Sequence, residues 1–251
     1  MQGKSALVTG GGGGFGKAIA ELLLADGAAV TLADNDVAKL DAARDLLSSK
    51  VAGAKIATIA GDATSEADVQ AAIDAAIAHG GGLDIVVGTV GGGSGFGAIL
   101  DMPYDTFLSD YALNVGSAFL LVKQATPLMR AGSSFVFISS AAAVTPLPNL
   151  VSYCTVKAGL DHFTRSAAIE LSPRGIRFNA VRPGTTETDG MAHAFARDGF
   201  AASSASKIPL ARTGKPFDIA KAVHYLASDD ASWITGQCWT VDGGAGLRTG
   251  G

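Results

Sequence analysis

Near its start the chain places an apolar segment, residues 5–8, directly before Thr9-Gly10-Gly11-Gly12-Gly13-Gly14-Phe15-Gly16, and a helical pattern follows from Lys17. Glycines at this point permit a tight turn, close approach of the backbone to a pyrophosphate, and close packing of a helix on a strand. The amides at the helix N-terminus then face the anion. A glycine linker would look the same in isolation. The position between a strand and a helix favours a phosphate-binding turn, with Gly10, Gly13, Gly14, Phe15 and Gly16 as its contacts.

The same alternation continues. Residues 28–33, 55–60, 84–87, 134–138, 177–181 and 237–241 read as further strands, and 17–25, 37–47, 66–79, 104–130, 152–171 and 217–227 as helices. Strands alternating with helices predict an α/β fold with a parallel sheet covered on both faces. Ser65 with Asp68 three positions on predicts an N-cap, and Gly27 and Gly80 can close the helices before them. Residues 91–97 and 184–213 are the two long irregular segments, expected beside the ligand crevice at the strand carboxyl ends. A length of 251 residues predicts one domain, 1–251, with its substrate loop at about 184–213.

Composition narrows the function. The chain is 48% hydrophobic and 17% charged, a balance that excludes disorder and fits extensive buried subunit contacts. A formal charge of -4 with scattered cations offers no stripe for nucleic acid. The opening residues leave no room for a secretion signal, and no apolar run reaches membrane-spanning length. Cys154 and Cys238 fit reduced, buried thiols in a cytoplasmic protein, and the four histidines lack metal-ligand spacing.

Asp34 ends the second strand, 24 positions after Gly10. A carboxylate there accepts both ribose hydroxyls of an adenosine and repels a 2'-phosphate, so the expected cofactor is NAD rather than NADP. The plainer reading makes Asp34 a loop or cap residue, a duty that Asp36 can also serve. Asp62, with Ala63 beside it, sits where a side chain meets the adenine amino group, or is simply a turn residue. Further on, Tyr153 precedes Lys157 by four residues, which puts both on one helix face. An ammonium beside a phenol stabilises the phenolate and makes the phenol a usable acid or base. Alone, that spacing more often marks an amphipathic surface turn.

Together these motifs resemble those of the short-chain dehydrogenase/reductase family over essentially the whole length. Thr9-Gly10-x-x-x-Gly14-x-Gly16 is similar to the family's glycine motif, Asn114 lies in a helix as its active-site asparagine does, and Ser140 precedes Tyr153 by thirteen residues. Pro183-Gly184 with Thr188, Thr235-Gly236-Gln237 and Val241-Asp242-Gly243-Gly244 complete the match. The resemblance implies a Rossmann-like, doubly wound parallel sheet of seven strands flanked by helices. It also implies roles. Tyr153 exchanges a proton with the substrate oxygen, and Lys157 lowers its pKa and binds the nicotinamide ribose. Ser140, rather than its neighbour Ser139, holds the substrate oxygen, while Asn114 positions a water reaching Lys157. Gly88 contacts the cofactor through its backbone, Pro183 and Gly184 also contact the cofactor, and Thr188 with the backbone near Thr186 fixes the carboxamide. Members commonly form tetramers through the helices bearing Asn114 and Tyr153.

One departure is visible: Gly88-Thr89-Val90-Gly91 stands where the family usually has Asn-Asn-Ala-Gly, which removes sheet-steadying amides and adds backbone entropy. Met191, Phe195, Phe200, Ile208 and Leu210, with Ala141, Ala142, Ala143 and Leu147 near the serine, predict an apolar pocket. The expected substrate is therefore an uncharged secondary alcohol or ketone, cyclic and steroid-like ones included, although Arg197 or His193 could bind a carboxylate. The alternatives are a 3-oxoacyl thioester reductase of the same family and a catalytically lapsed NAD-binding regulator.

Overall fold

The computed structural model describes residues 1–247. Seven strands, β1 (Ser5–Thr9), β2 (Ala29–Asp34), β3 (Lys55–Ala60), β4 (Ile85–Gly88), β5 (Ser134–Ile138), β6 (Arg177–Pro183) and β7 (Cys238–Val241), form one sheet. Its order is β3-β2-β1-β4-β5-β6-β7, and every neighbouring pair is parallel. The expected doubly wound architecture is present. Chain direction across the sheet reverses between β1 and β4, so the strand carboxyl ends part there and open a crevice.

Two cores form because successive strand residues point to opposite faces. Ala6, Val8, Val30, Leu32, Val136 and Ile138 face one side, where α1 (Gly14–Ala25), α2 (Val37–Lys50) and α9 (Pro216–Ala227) cover them. Leu7, Val86, Phe135, Phe137 and Phe178 face the other, under α3 (Glu66–Gly80), α5 (Ser117–Ala125) and α6 (Val151–Leu171). Each fully buried leucine, isoleucine or phenylalanine adds about 1.5–3 kcal/mol. Phe135 stacks on Phe178 at a 4.8 Å centroid distance, and Phe137 meets Phe163 of α6 edge-on at 6.3 Å.

Helix ends follow local chemistry. Ser65 accepts from the Asp68 amide at 3.3 Å and caps α3 as expected, whereas Asp36 accepts from the Lys39 amide and caps α2. Gly27, at φ +83°, follows α1 as expected, but α3 is closed by Gly81 at φ +74° and not by Gly80. Gly80 stays helical and lies so close to β1 that a Cβ there would be 2.1 Å from the Ser5 hydroxyl.

Two sequence expectations change. The helix expected over 104–130 is interrupted: α4 (Tyr104–Tyr111) passes through a π-helical turn, Ala112–Gly116, into α5, and helical structure ends at Leu128. The segment expected to be irregular from 184 to 213 carries α7 (Ala192–Phe195) and α8 (Phe200–Ser206). Short helices with weak periodicity are not separable from loops by pattern alone.

Candidate active site

The glycine turn is built where the sequence placed it. Gly10 has φ +66°, and a Cβ on it would lie 2.4 Å from the Thr89 hydroxyl oxygen. A Cβ on Gly16 would lie 2.3 Å from the Gly10 carbonyl oxygen, so that glycine lets α1 rest on the turn. Helix α1 begins at Gly14, with Gly13 as its cap and Phe15 packed against the core below. Its first-turn N–H groups have no partners within the helix and face out of its end. The segment after β6 crosses that end: Thr188 lies beside Gly14, and Lys17 Nζ meets Asp189 Oδ2 at 3.1 Å.

Beside the turn lies an open crevice lined by Thr9, Asp34, Ile59, Asp62, Ala63, Val69 and Val90. Asp34 accepts from the amides of Gly12 and Asp36, each at 3.1 Å, which holds its carboxylate at the crevice edge. Asp62 Oδ1 accepts from both the Thr64 amide and hydroxyl at 2.8 Å, so its turn duty is real, and those bonds hold its carboxyl below the ordinary range. Glycine amides, an acidic group at a strand end and an apolar floor fit a dinucleotide's pyrophosphate, ribose and base.

At the carboxyl end of β5 the two serines separate. Ser139 is buried and donates to the Lys157 carbonyl at 3.3 Å, whereas Ser140, in extended backbone, caps the short turn Ala141–Ala143 and is close enough to the Tyr153 phenol to oppose the rise of its pKa. Lys157, on α6 with Tyr153, is 3% exposed and donates to the Ile138 carbonyl at 3.0 Å. Its Nζ lies 5.8 Å from the Tyr153 ring centre. Asn114 sits in the π-helical turn, 1% exposed. A Cβ on Gly91 would be 2.6 Å from both Asn114 Oδ1 and Lys157 Nζ, so the bare backbone of that glycine leaves room for the amide and the ammonium beside it.

Electrostatics here differ from expectation in one respect. Burial raises the Tyr153 phenol above its ordinary value, and Ser140 only partly opposes it; Lys157 does not lower it. The reason lies in the lysine itself. Burial lowers Lys157 from 10.5 to about 8, partly offset by the Asp161 charge, and its ammonium is directed at a carbonyl.

Comparison with known proteins shows the family. A family model described as enoyl-(acyl carrier protein) reductase matches residues 11–246. The chain is 35% identical to 7alpha-hydroxysteroid dehydrogenase of Escherichia coli K12, covering 97% of this chain and 94% of that one. It is 38% identical to a 4-formylbenzenesulfonate dehydrogenase of Comamonas testosteroni, covering 96% and 97%. A solved short-chain type dehydrogenase/reductase from Mycobacterium ulcerans superposes with a TM-score of 0.94 at 35% identity, covering 100% and 92%. The chain belongs to the short-chain dehydrogenase/reductase family. It is an oxidoreductase of the alcohol dehydrogenase and ketone reductase kind, and the family uses a nicotinamide cofactor, NAD or NADP.

Against the family pattern, the Gly88-Thr89-Val90-Gly91 segment is compensated rather than loosened. A Cβ on Gly88 would lie 2.7 Å from Phe137 Cδ1, so the phenylalanine ring of the next strand occupies the room that an asparagine side chain needs. Thr89 donates its hydroxyl to the Thr9 carbonyl at 2.7 Å and lies 3.2 Å from that of Gly10, and so ties β4 to the glycine turn. Neither Thr89 nor Phe137 was singled out from sequence. Only the pairing of β4 with β5 shows what they replace.

The remaining expected residues are near but unequal. Gly184 packs on Asp242, where a Cβ would be 2.6 Å from the aspartate Cβ, just after Pro183 ends β6. Thr186 donates to the Gly184 carbonyl at 2.9 Å and is buried. Of the apolar residues expected to line the pocket, Ile208 is buried against Gly243 and Leu210 contacts the same turn, while Phe195 and Phe200 pack edge-on at 5.2 Å. Ile208 therefore belongs to the body of the protein.

Proposed function

We propose that this chain transfers hydride between an uncharged secondary alcohol or ketone and NAD, using Asn114, Ser140, Tyr153 and Lys157. The observation that carries the reading is that Ser140, at the carboxyl end of β5, meets the Tyr153 phenol on the helix that also carries the buried Lys157, while Asp34 edges a crevice at the carboxyl ends of β1, β2 and β3. Bound nicotinamide supplies the hydride site and, when oxidised, a positive charge near the phenol. The glycine turn would hold the pyrophosphate. Asp34 would take the ribose hydroxyls, Asp62 and Ala63 the adenine end, Gly88 would offer its backbone, and the segment Pro183, Gly184, Thr186 and Thr188 would flank the carboxamide.

During reduction Tyr153 donates its proton to the carbonyl oxygen; during oxidation it takes the alcohol proton. A phenol raised by burial is fully protonated at neutral pH, the form that reduction requires. Ser140 donates to the same oxygen, a contact that strengthens as negative charge develops there. Lys157, which does not lower the phenol of the protein without cofactor, would hold the nicotinamide ribose beside it. Asp34 disfavours a 2'-phosphate, and the nearby cation Lys39 is paired with Asp36 at 3.2 Å.

Phe96, Val144 and Leu147 are exposed apolar side chains on the loops around Ser140 and Tyr153, which supports an uncharged, cyclic or steroid-like substrate. A relative named for 7alpha-hydroxysteroid oxidation points the same way. The family-model description names a reductase of acyl thioesters, the substrate class of the second reading, a 3-oxoacyl thioester reductase. Against it, Arg212 and Lys215 near the loop are paired with Asp218 and Glu187, leaving them less free for an acidic carrier. Exposed Leu108, Tyr111, Phe119 and Ile169 on α4, α5 and α6 support a homo-oligomer, with a tetramer favoured, and the free cysteines fit the cytoplasm.

An NAD and NADP reduction screen over small diols, cyclic alcohols, sugars, hydroxy acids and steroids tests the proposal. NADH should form with uncharged secondary alcohols, at least about tenfold better than NADPH. Tyr153→Phe should lower kcat by about 100-fold or more with NADH binding intact. Retained turnover in that variant would sink the mechanism, equal use of NADP would sink the Asp34 reading, and tight NAD binding without turnover would favour the lapsed regulator.

A further inference from the structure

The last turn of α4 buries a carboxylate that the reaction as described does not use. Asp110 is 2% exposed and accepts four hydrogen bonds: from the Ser94 amide at 2.9 Å, the Ser94 hydroxyl at 3.1 Å, the Gly95 amide at 3.2 Å and the Ser152 hydroxyl at 2.6 Å. Ser152 immediately precedes Tyr153 on the first turn of α6. Ser94 and Gly95 belong to the glycine-rich 91–97 loop, whose next residue is the exposed Phe96. One turn along from Asp110, Asn114 holds the same loop by both backbone groups of Gly92, donating to its carbonyl at 2.8 Å and accepting from its amide at 3.2 Å.

We propose that Asp110 is a positioning residue, whose carboxylate locks the 91–97 loop to the first turn of α6 and so sets the spacing between Tyr153 and the Phe96 wall of the substrate site. This rests on the reading of Tyr153 as the proton-transfer group. The loop backbone runs beside that helix with room for no more than a hydrogen: a Cβ on Gly93 would lie 3.4 Å from Tyr153 Cδ2, and one on Gly95 3.0 Å from Ser152 Cβ. A backbone seated that closely on the catalytic ring transmits its own displacement to the ring. Its hold is charge-assisted, because the donors keep the Asp110 carboxyl below its ordinary value against the cost of burial. A polypeptide of this glycine content has little stiffness of its own, so the carboxylate supplies what the sequence of the loop lacks. An asparagine amide cannot replace it: with Oδ1 kept toward Ser94, its NH2 group would face the Gly95 N–H, donor against donor.

The test uses the full chain as Asp110→Asn, Ser152→Ala and the double variant, with the best alcohol from the screen, NADH affinity, and amide exchange over residues 91–97. Asp110→Asn should leave NADH affinity within about twofold, lower kcat by about tenfold, narrow the preference for bulky over small alcohols, and speed exchange most at Ser94 and Gly95. Ser152→Ala should lower kcat by about threefold, and the double variant should be no worse than Asp110→Asn alone. A folded Asp110→Asn protein with kcat within twofold of the parent, or exchange raised evenly across the molecule, would overturn the proposal. Should Asp110→Asn not fold, unchanged kcat and selectivity in Ser152→Ala would overturn it just as well, and the expected fall would support it. If the parent turns over no alcohol at all, the proton-transfer reading fails, while exchange confined to 91–97 in Asp110→Asn still decides the lock.

Discussion

At the scale of single residues, the site owes its chemistry to where charges are forced to sit. Lys157 is the sharpest case, an ammonium 3% exposed with its pKa lowered to about 8 from 10.5. Below pH 8 the folded and unfolded chains both carry the proton, and the fold bears the full desolvation cost. Between 8 and 10.5 the folded chain releases a proton that the unfolded chain keeps, so the Lys157 contribution to stability rises with pH, by a total on the order of 3 kcal/mol. Cys238, pushed up to about 11, and Tyr153 act in the opposite sense at the alkaline end. They do so in parent and variant alike. Lys157→Met should therefore gain most in Tm over the parent below pH 8 and lose that advantage by pH 10, in thermal melts without cofactor; a difference constant with pH would show that the ammonium bears no such cost. Tyr153 and Lys157 were legible from their spacing. The raised phenol was not, because burial is a property of the assembled site.

At the scale of elements, the meeting of β4 and β5 replaces one way of steadying the crevice with another. Gly88 leaves room for the Phe137 ring, and Thr89 ties β4 to the glycine turn. Gly88→Asn, which restores the family's usual residue, should cost about 1–3 kcal/mol through overpacking against Phe137. Phe137→Ala alone should cost about 3–5 kcal/mol. Combined, the penalties should fall short of their sum, measured by denaturant unfolding, since the smaller side chain admits the larger one; strict additivity would mean the two do not compete for space. The sequence displayed the missing asparagines plainly, but their compensation lies 49 positions away on another strand. The π-helical turn that carries Asn114 was hidden for a related reason: one extra residue per turn leaves no mark on a helix pattern read at 3.6 residues per turn.

For the whole molecule, the helices α4, α5 and α6 leave Leu108, Tyr111, Phe119 and Ile169 exposed, with Ile169 at 83%. Covering that surface against further copies should give, by light scattering, a particle four times the 25.2 kDa chain mass. A particle of one chain mass would leave those side chains without the proposed cover. By itself the sequence determined the strand–turn–helix opening, the alternation that makes a parallel sheet, Asp34 at a strand end, and the helix face shared by Tyr153 and Lys157. These are set by period, turn chemistry and short-range spacing, which neighbouring residues encode together. Tertiary structure alone decided that Phe137 fills the place left by Gly88, that Ile208 belongs to the core, and that Asp110 reaches the 91–97 loop and Ser152. Each depends on which distant segments the packing of helices on the sheet brings within a hydrogen bond or a van der Waals radius, and no local pattern carries that distance.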